Sequence, residues 1–222
     1  FAWDGKNLTI NGASNDAEGT FAADIDVSGG KLIFGNNATT QIGSTLTQTN
    51  TGVGGLGFVN ATVEIGANLT TTDNAGAISF ASASTLKGSA NENITLATNG
   101  ATNSDITFSS TLGNTEGEDI TFNAGAAGDV VVTGALGDFG VGDVFVTNAA
   151  DVTFSSTVTA NTFDQSAGTG TTTFDGAFNL ATNFAWDGKN LTINGASNDA
   201  EGTFAADIDV SGGKLIFGNN AT

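Results

Sequence analysis

Residues 105–111 read Asp105-Ile-Thr-Phe-Ser-Ser-Thr111, and the pattern returns 46 residues later as Asp151-Val-Thr-Phe-Ser-Ser-Thr157. Related strand starts, each an aspartate followed by a β-branched residue, lie at Asp119, Asp129 and Asp143. The spacing is 24 residues from Asp105 to Asp129 and from Asp119 to Asp143, and 22 from Asp129 to Asp151. A period in the twenties that is carried by short strands is typical of solenoid proteins. The sequence therefore predicts a coil of about 23 residues.

The strands of this pattern alternate in polarity. In Asp105-Ile-Thr-Phe108, Ile106 and Phe108 share one face of the strand, and Asp105 and Thr107 share the other. Glycine, asparagine, aspartate and serine separate such strands, and no stretch has helical periodicity with helix caps. We therefore predict an all-β fold, a three-sided parallel β-solenoid (β-helix), and expect right-handed winding from the usual hand of parallel crossovers.

A much longer repeat encloses this period. Residues 184–222 repeat residues 1–39 letter for letter, so that Phe184 corresponds to Phe1 and Thr222 to Thr39. Either the parent protein repeats a unit that corresponds to residues 1–183, or one segment has been duplicated artificially; we favour the first. Residues 1–183 are then one complete repeat unit of about eight coils, and residues 184–222 begin the next, continuous with the same solenoid.

The composition excludes several kinds of enzyme. The chain has no histidine, cysteine, proline or arginine among its 222 residues. Without histidine and cysteine there is no Ser-His-Asp triad, no thiol nucleophile and no histidine- or cysteine-bound zinc. We predict that the protein is not an enzyme. The best enzymatic alternative is a polysaccharide-active β-helix using Asp24 and Asp26, which would lie about 7 Å apart on one strand face, near the range of inverting glycosidases.

The charge balance limits the partners. The chain has 23 acidic and five basic residues, a net charge of −18. Such a rod repels nucleic acid and attracts cations, so we predict no nucleic-acid partner. No window reaches 18 apolar residues, which predicts no membrane-spanning helix.

Calcium is the one cofactor that the sequence suggests, because carboxylate oxygens are plentiful in two turns. Gly140-Val-Gly-Asp143 resembles the calcium-binding nonapeptide, although its aspartate stands one position early. The candidate calcium ligands are Glu116, Glu118, Asp119, Asp138 and Asp143.

Two further features of the sequence concern binding or modification: glycosylation sequons and threonine-rich segments. Asn-X-Thr sequons predict possible glycosylation of a secreted surface. Flat threonine arrays on solenoids can order water and bind ice, but the threonines of 45–47, 70–72 and 171–173 are expected not to share one register. The sequons of the first unit begin at Asn7, Asn37, Asn60, Asn68 and Asn93.

The run from Asp151 to Phe163 and the following run from Ser166 to Gly176 resemble the β-strand repeats of very large bacterial surface proteins. These repeats are of the filamentous-haemagglutinin and autotransporter-passenger types. The resemblance implies secretion, a cell-surface or extracellular location, and adhesion or structural support. Repeats in such proteins usually diverge more than the identical segments found here.

These observations predict a structural filament or adhesin stalk. Because solenoids need polar caps and residues 184–222 carry an interior segment instead, we expect coil to stack on further coil in the same polypeptide or a neighbouring subunit. The expected partners are therefore further copies of the repeat, with cell-surface glycans as another candidate. The alternatives are a solenoid that binds calcium, glycan or ice, followed by the polysaccharide-active enzyme.

Overall fold

The computed structural model of the chain confirms the predicted all-β parallel β-solenoid. All 24 strands pair in parallel, and the described residues contain no helix. Each complete coil crosses three faces, numbered here in chain order, which agrees with the three-sided prediction. The expected right-handed winding stays a prediction. The residues that the structure describes are 2–3, 8–11, 25–27, 31–35, 40–43, 45–48, 55–59, 62–72, 76–98, 104–195, 208–210 and 214–217.

Face 1 is a sheet of ten strands, one from each successive coil. Its strands are β2 (Leu8–Asn11), β4 (Lys31–Gly35), β7 (Gly55–Val59), β10 (Ala77–Phe80), β13 (Ile106–Phe108), β16 (Val130–Val132), β18 (Val152–Phe154), β20 (Thr171–Phe174), β22 (Asn190–Ile193) and β24 (Lys214–Phe217).

Faces 2 and 3 form one continuous sheet, because three long strands cross the corner between them: β17 (Leu136–Asn148), β19 (Val158–Gln165) and β21 (Phe178–Trp186). Register shifts within the pairs that these strands form mark the corner. Face 2 also holds β5 (Thr40–Ile42), β8 (Thr62–Ile65), β11 (Ala83–Leu86) and β14 (Leu112–Asn114). Face 3 also holds β1 (Ala2–Trp3), β3 (Ile25–Val27), β6 (Leu46–Gln48), β9 (Leu69–Thr71), β12 (Asn93–Ala97), β15 (Asp119–Asn123) and β23 (Ile208–Val210).

The coil length varies, but its mean agrees with the prediction. Along the face 1 register, the longest step runs from Ile78 to Ile106 and the shortest from Thr172 to Leu191. Nine steps carry the register from Leu8 to Leu215, a mean of 23 residues. The predicted coil length of about 23 residues is confirmed.

The two copies of the identical segment adopt the same pairing. Leu8 pairs with Leu32 in the first copy, and Leu191 pairs with Leu215 in the second. Strands β1 and β3 likewise use the register of β21 and β23. Identical sequence therefore gives identical strand pairing at two positions eight coils apart.

The core is a column of apolar side chains inside the three faces. Alternation along each short strand turns every second residue inward, as in β13, where Ile106 and Phe108 are buried and Thr107 is half-buried. Equivalent inward residues stack from coil to coil: the Phe80 ring lies 4.7 Å from that of Phe58 and 4.3 Å from that of Phe108. Such offset aromatic pairs add to the hydrophobic stabilisation of the burial itself.

One polar chain crosses this core. The Trp186 indole N–H donates to the Thr172 hydroxyl at 3.2 Å, and that hydroxyl donates to Gln165 Oε1 at 2.6 Å. The Gln165 amide in turn donates to the Ala167 carbonyl at 3.1 Å. Trp186, Thr172 and Gln165 are each buried, so each polar group has the partner that burial requires.

The corner that follows face 1 allows a very close approach of backbones. A Cβ atom on Gly195 would lie 1.9 Å from the carbonyl oxygen of Gly176, and one on Gly176 would lie 2.2 Å from the carbonyl carbon of Ser156. Only glycine fits there, which explains part of the high glycine content of the sequence.

Candidate functional site

The corner between faces 2 and 3 changes in loop length from coil to coil. Three residues connect the two faces in the coils of β5 and β8, whereas six residues, 87–92, connect β11 to β12. Four residues, 115–118, connect β14 to β15 in the next coil. The longer loop therefore projects beside the two tight corners that contain Gly43 and Gly66.

A buried carboxylate fixes these loops. Glu118 is fully buried, and its Oε1 accepts hydrogen bonds from the Gly88 N–H at 2.9 Å and the Thr115 hydroxyl at 2.8 Å. Its Oε2 accepts from the amides of Thr115 at 3.1 Å and Glu116 at 2.9 Å. Since Gly88 belongs to the preceding coil, Glu118 joins two coils as well as closing its own loop.

Two opposing effects act on the pKa of Glu118. Burial favours the neutral acid and works to raise the pKa, but hydrogen bonds from the Glu116 amide, the Thr115 hydroxyl and neighbouring amides favour the carboxylate. The hydrogen bonds prevail and the pKa of Glu118 lies below its usual value. The group is therefore an ionised structural carboxylate at neutral pH.

The 87–92 loop is fixed from within as well. Glu92 Oε2 accepts the Ser89 amide at 2.9 Å, which repeats the Glu118–Thr115 arrangement one coil earlier. Asn91 adopts a left-handed conformation, with φ of 60°, which asparagine tolerates better than most residues. Its amide donates to the Gly117 carbonyl of the next loop at 3.1 Å.

The projecting loop and the tight corners enclose a groove, called here the corner groove, of about 420 Å³. Gln41 and Glu64 are register partners on adjacent coils of face 2, and Lys87 follows the third strand of that face. The Lys87 ammonium lies 2.9 Å from Glu64 Oε2, and the Gln41 amide donates to the same oxygen. The groove is lined by Gln41, Ile42, Gly43, Glu64, Gly66, Lys87, Gly88, Ser89 and Glu92.

The sequence does not predict the corner groove, and none of the predicted site residues in the described part of the chain lines it. A signal was present: Gln41-Ile-Gly43 returns 23 residues later as Glu64-Ile-Gly66, so a polar residue and a corner glycine flank one buried isoleucine in two successive coils. What the sequence does not reveal is that the third coil lengthens its loop beside them.

Three of the predicted calcium ligands accept hydrogen bonds from the protein itself. Glu118 is engaged by four donors, Asp119 Oδ1 accepts the Asp143 amide at 2.7 Å, and Asp143 Oδ1 accepts the Asn161 side-chain amide at 2.8 Å. The side chain of Asp138 lies outside the described residues. No group of three or more acidic side chains that could hold a metal ion occurs in the described part of the chain. Calcium binding stays a prediction.

Two predicted glycosylation sites have structural roles. The Asn68 and Asn93 side chains are exposed, yet Asn68 Oδ1 accepts the Thr95 amide at 2.8 Å and Asn93 Oδ1 accepts the Thr121 hydroxyl at 2.9 Å. Each asparagine thus bridges to the next coil. The other predicted glycosylation sites, Asn7, Asn37 and Asn60, lie outside the described residues. Asp24, one of the two carboxylates of the enzymatic alternative, also lies outside them. Asp26 is placed in β3 by its backbone alone.

As expected, the three threonine-rich segments do not share one register, although Thr47 and Thr70 are partners on adjacent strands of face 3, because residues 171–173 lie in β20 on face 1. On face 1, Thr153, Thr173 and Thr192 also form one outward column. The coils there are the two shortest along face 1, so a search at a constant spacing misses the alignment.

Three aspartates that precede face 1 strands form a hydrogen-bonded column. This column, called here the Asp ladder, consists of Asp105, Asp129 and Asp151. Asp105 Oδ1 accepts the Asp129 amide at 2.9 Å, and Asp129 Oδ1 accepts the Asp151 amide at 3.0 Å. Asp151 Oδ1 continues the ladder to the Thr171 amide at 2.6 Å. The recurrent aspartate of the sequence pattern is therefore a bond between coils.

The Asp ladder gives a prediction about stability. Asp129→Ala is expected to lower the free energy of unfolding by about 1 kcal/mol, since the Asp151 amide loses its acceptor. Asp129→Asn keeps an acceptor oxygen and removes one of three like charges stacked about 4.8 Å apart, so it should leave stability nearly unchanged. Urea denaturation of both variants measures this; equal losses would show that the hydrogen bond contributes nothing.

Comparison of the chain with protein-family models, curated proteins and solved structures found no match. Within the described residues, no helix is long and apolar enough to cross a membrane.

Proposed function

We propose that this chain is part of a structural filament or adhesin stalk at the cell surface, built from β-solenoid repeats that continue one another end to end. The observation that carries this proposal is the equivalence of the two identical segments. Leu8 and Leu191 are separated by eight face 1 steps, and each pairs onward with the same residue type in the same register. A unit whose start recurs in phase can be repeated without a seam.

The next coil after such a segment is known from the first copy. Strand β4 offers its second edge to β7, with Leu32 paired to Leu56. Strand β24 (Lys214–Phe217) has the sequence of Lys31–Phe34 in β4, so a further copy of the repeat could pair with it in the same way. This supports stacking of repeat on repeat, within one polypeptide or between subunits.

The proposed location and a role without catalysis rest on the sequence. The resemblance of residues 151–176 to bacterial surface repeats supports secretion, and the absence of histidine, cysteine and arginine removes the commonest catalytic groups. The net charge of −18 would keep neighbouring rods apart unless cations lie between them.

The filament proposal predicts length. Three polypeptides are compared, with one, two or three consecutive copies of residues 1–183 and a single copy of residues 184–222 at the end. All three are expected to form straight rods. Each added copy should lengthen the rod by about 38 Å, because eight coils stack at about 4.8 Å each. Electron microscopy of the three proteins measures the increments.

Particles that grow in all dimensions would contradict the filament proposal, because separate globules would then be the repeating element. Immunogold labelling of unpermeabilised source cells tests the location independently. Label on the outer surface is expected, and label seen only after permeabilisation would overturn the surface assignment.

A further inference from the structure

The corner groove is held open by the fold rather than by a flexible loop. Glu118 from the following coil binds the Gly88 amide, and Glu92 binds the Ser89 amide, both at 2.9 Å. On the other side, a Cβ atom on Gly66 would lie 2.8 Å from the Lys87 carbonyl oxygen. One side of the groove is thus fixed by hydrogen bonds from backbone amides to carboxylates, and the other by close packing of backbone on backbone, which is the pre-organisation that binding sites require.

The groove presents polar groups with unused hydrogen-bonding capacity. Lys87 has three donor protons and its side chain is 50% exposed, while its ion pair with Glu64 uses one of them. The carboxylates of Glu64 and Glu92 each offer two oxygens with several lone pairs. Ser89 is exposed and supplies a hydroxyl. The lining of the groove therefore offers both hydrogen-bond donors and acceptors.

Charge and shape restrict what can bind there. Glu64 and Glu92 against Lys87 leave one net negative charge in the groove, and the chain as a whole carries −18, so anions are repelled. Among the described lining residues, Ile42 is the only one with an apolar side chain, and it is itself buried, which disfavours apolar ligands. A volume of about 420 Å³ lies within the range of small-molecule sites.

We propose that the corner groove binds a short saccharide that is neutral or carries an amino group. Vicinal hydroxyls both donate and accept, which matches a lining in which Lys87 donates and Glu64 and Glu92 accept. An amino group would add a charge-assisted hydrogen bond to a carboxylate. This inference does not depend on the filament proposal, because the groove lies within three successive coils of one chain.

The test is titration of the ¹⁵N-labelled 222-residue chain with neutral glucose, glucosamine and galacturonate trisaccharides, followed by NMR. Saturable shifts of the Gly66, Gly88 and Ser89 amides are expected with a neutral or amino trisaccharide, and none with the acidic one. Lys87→Met should raise the Kd of the neutral trisaccharide about ten-fold, since a charge-assisted hydrogen bond is lost. Lys189→Met, at an exposed lysine in another coil, should leave the Kd unchanged.

Three results would overturn the inference. The first is the absence of saturable shifts with all three saccharides, and the second is equal binding of the acidic one. The third is a Kd that Lys87→Met and Lys189→Met change alike. The native-chain titration decides the first two outcomes even if Lys87→Met does not fold. None of these results bears on rod length, so the filament proposal is tested separately.

Discussion

Phe80→Ala is expected to lower the free energy of unfolding by about 3–5 kcal/mol, the range for removing a buried phenylalanine. Phe80 is fully buried and its ring stacks between those of Phe58 and Phe108, at 4.7 and 4.3 Å. Truncation therefore loses contacts on both sides and leaves a cavity that the rigid strands cannot close. Guanidinium denaturation, followed by circular dichroism, measures the loss.

The location of the damage is a second readout for this variant. Because each coil contacts mainly its neighbours, hydrogen exchange should accelerate most in β7, β10 and β13, and least in β22. Val59→Ala is the matched control, since Val59 is 53% exposed in β7 and its truncation should have little effect. A loss for Val59→Ala as large as that for Phe80→Ala would refute the stacked core as the source of stability.

Glu118→Gln is expected to cost about 2–4 kcal/mol at pH 7, because the amide group of glutamine turns a donor toward backbone N–H groups that need an acceptor. Some of the four hydrogen bonds are therefore lost in a fully buried position. Denaturation midpoints of the native chain and the variant measure this difference.

The cost of Glu118→Gln should depend on pH. The folded-state pKa of Glu118 is lowered, so the carboxylate contributes stability above the unfolded pKa of about 4.3. That contribution disappears as the pH falls through the folded-state value. The native chain should therefore lose its advantage over the variant in acid.

Glu92→Gln is the matched control for Glu118→Gln. Glu92 accepts one loop amide in the same manner, but its side chain is exposed, and water can replace that bond. Its substitution should have a small effect at every pH. Equal losses from the two substitutions at pH 7, or a pH-independent loss for Glu118→Gln, would argue against the role assigned to Glu118.

The fold could be predicted because its determinants are local. Alternation in segments such as Asp105-Ile-Thr-Phe108 fixes which side chains turn inward, and the aspartates of the Asp ladder immediately precede three of the face 1 strands, β13, β16 and β18. The corners differ in length from coil to coil, but longer and shorter coils compensate for one another, so the mean coil length is unaffected. The mean period of the sequence therefore equals the mean step of the structure.

The corner groove could not be predicted because it depends on differences between coils. It needs Gly43 and Gly66 at two tight corners and a six-residue loop in the third coil, and no single segment records that relation. The calcium prediction counted carboxylates such as Glu118 as available ligands. Backbone amides that the strands leave unpaired at corners compete for the same oxygens, as the Gly88 and Asp143 amides do.

The eight whole coils between Leu8 and Leu191 have a genetic consequence. Recombination between copies of a gene segment adds or removes the codons of one entire unit at a time. Because one unit is eight whole coils, the residue after the joint lies on the same face, and its side chain points to the same side of the strand, as before the change. Had the duplicated length ended partway round a coil, the joint would have placed apolar residues on the surface. If the parent protein repeats this unit, as proposed, its copy number can therefore change between generations without producing a misfolded junction.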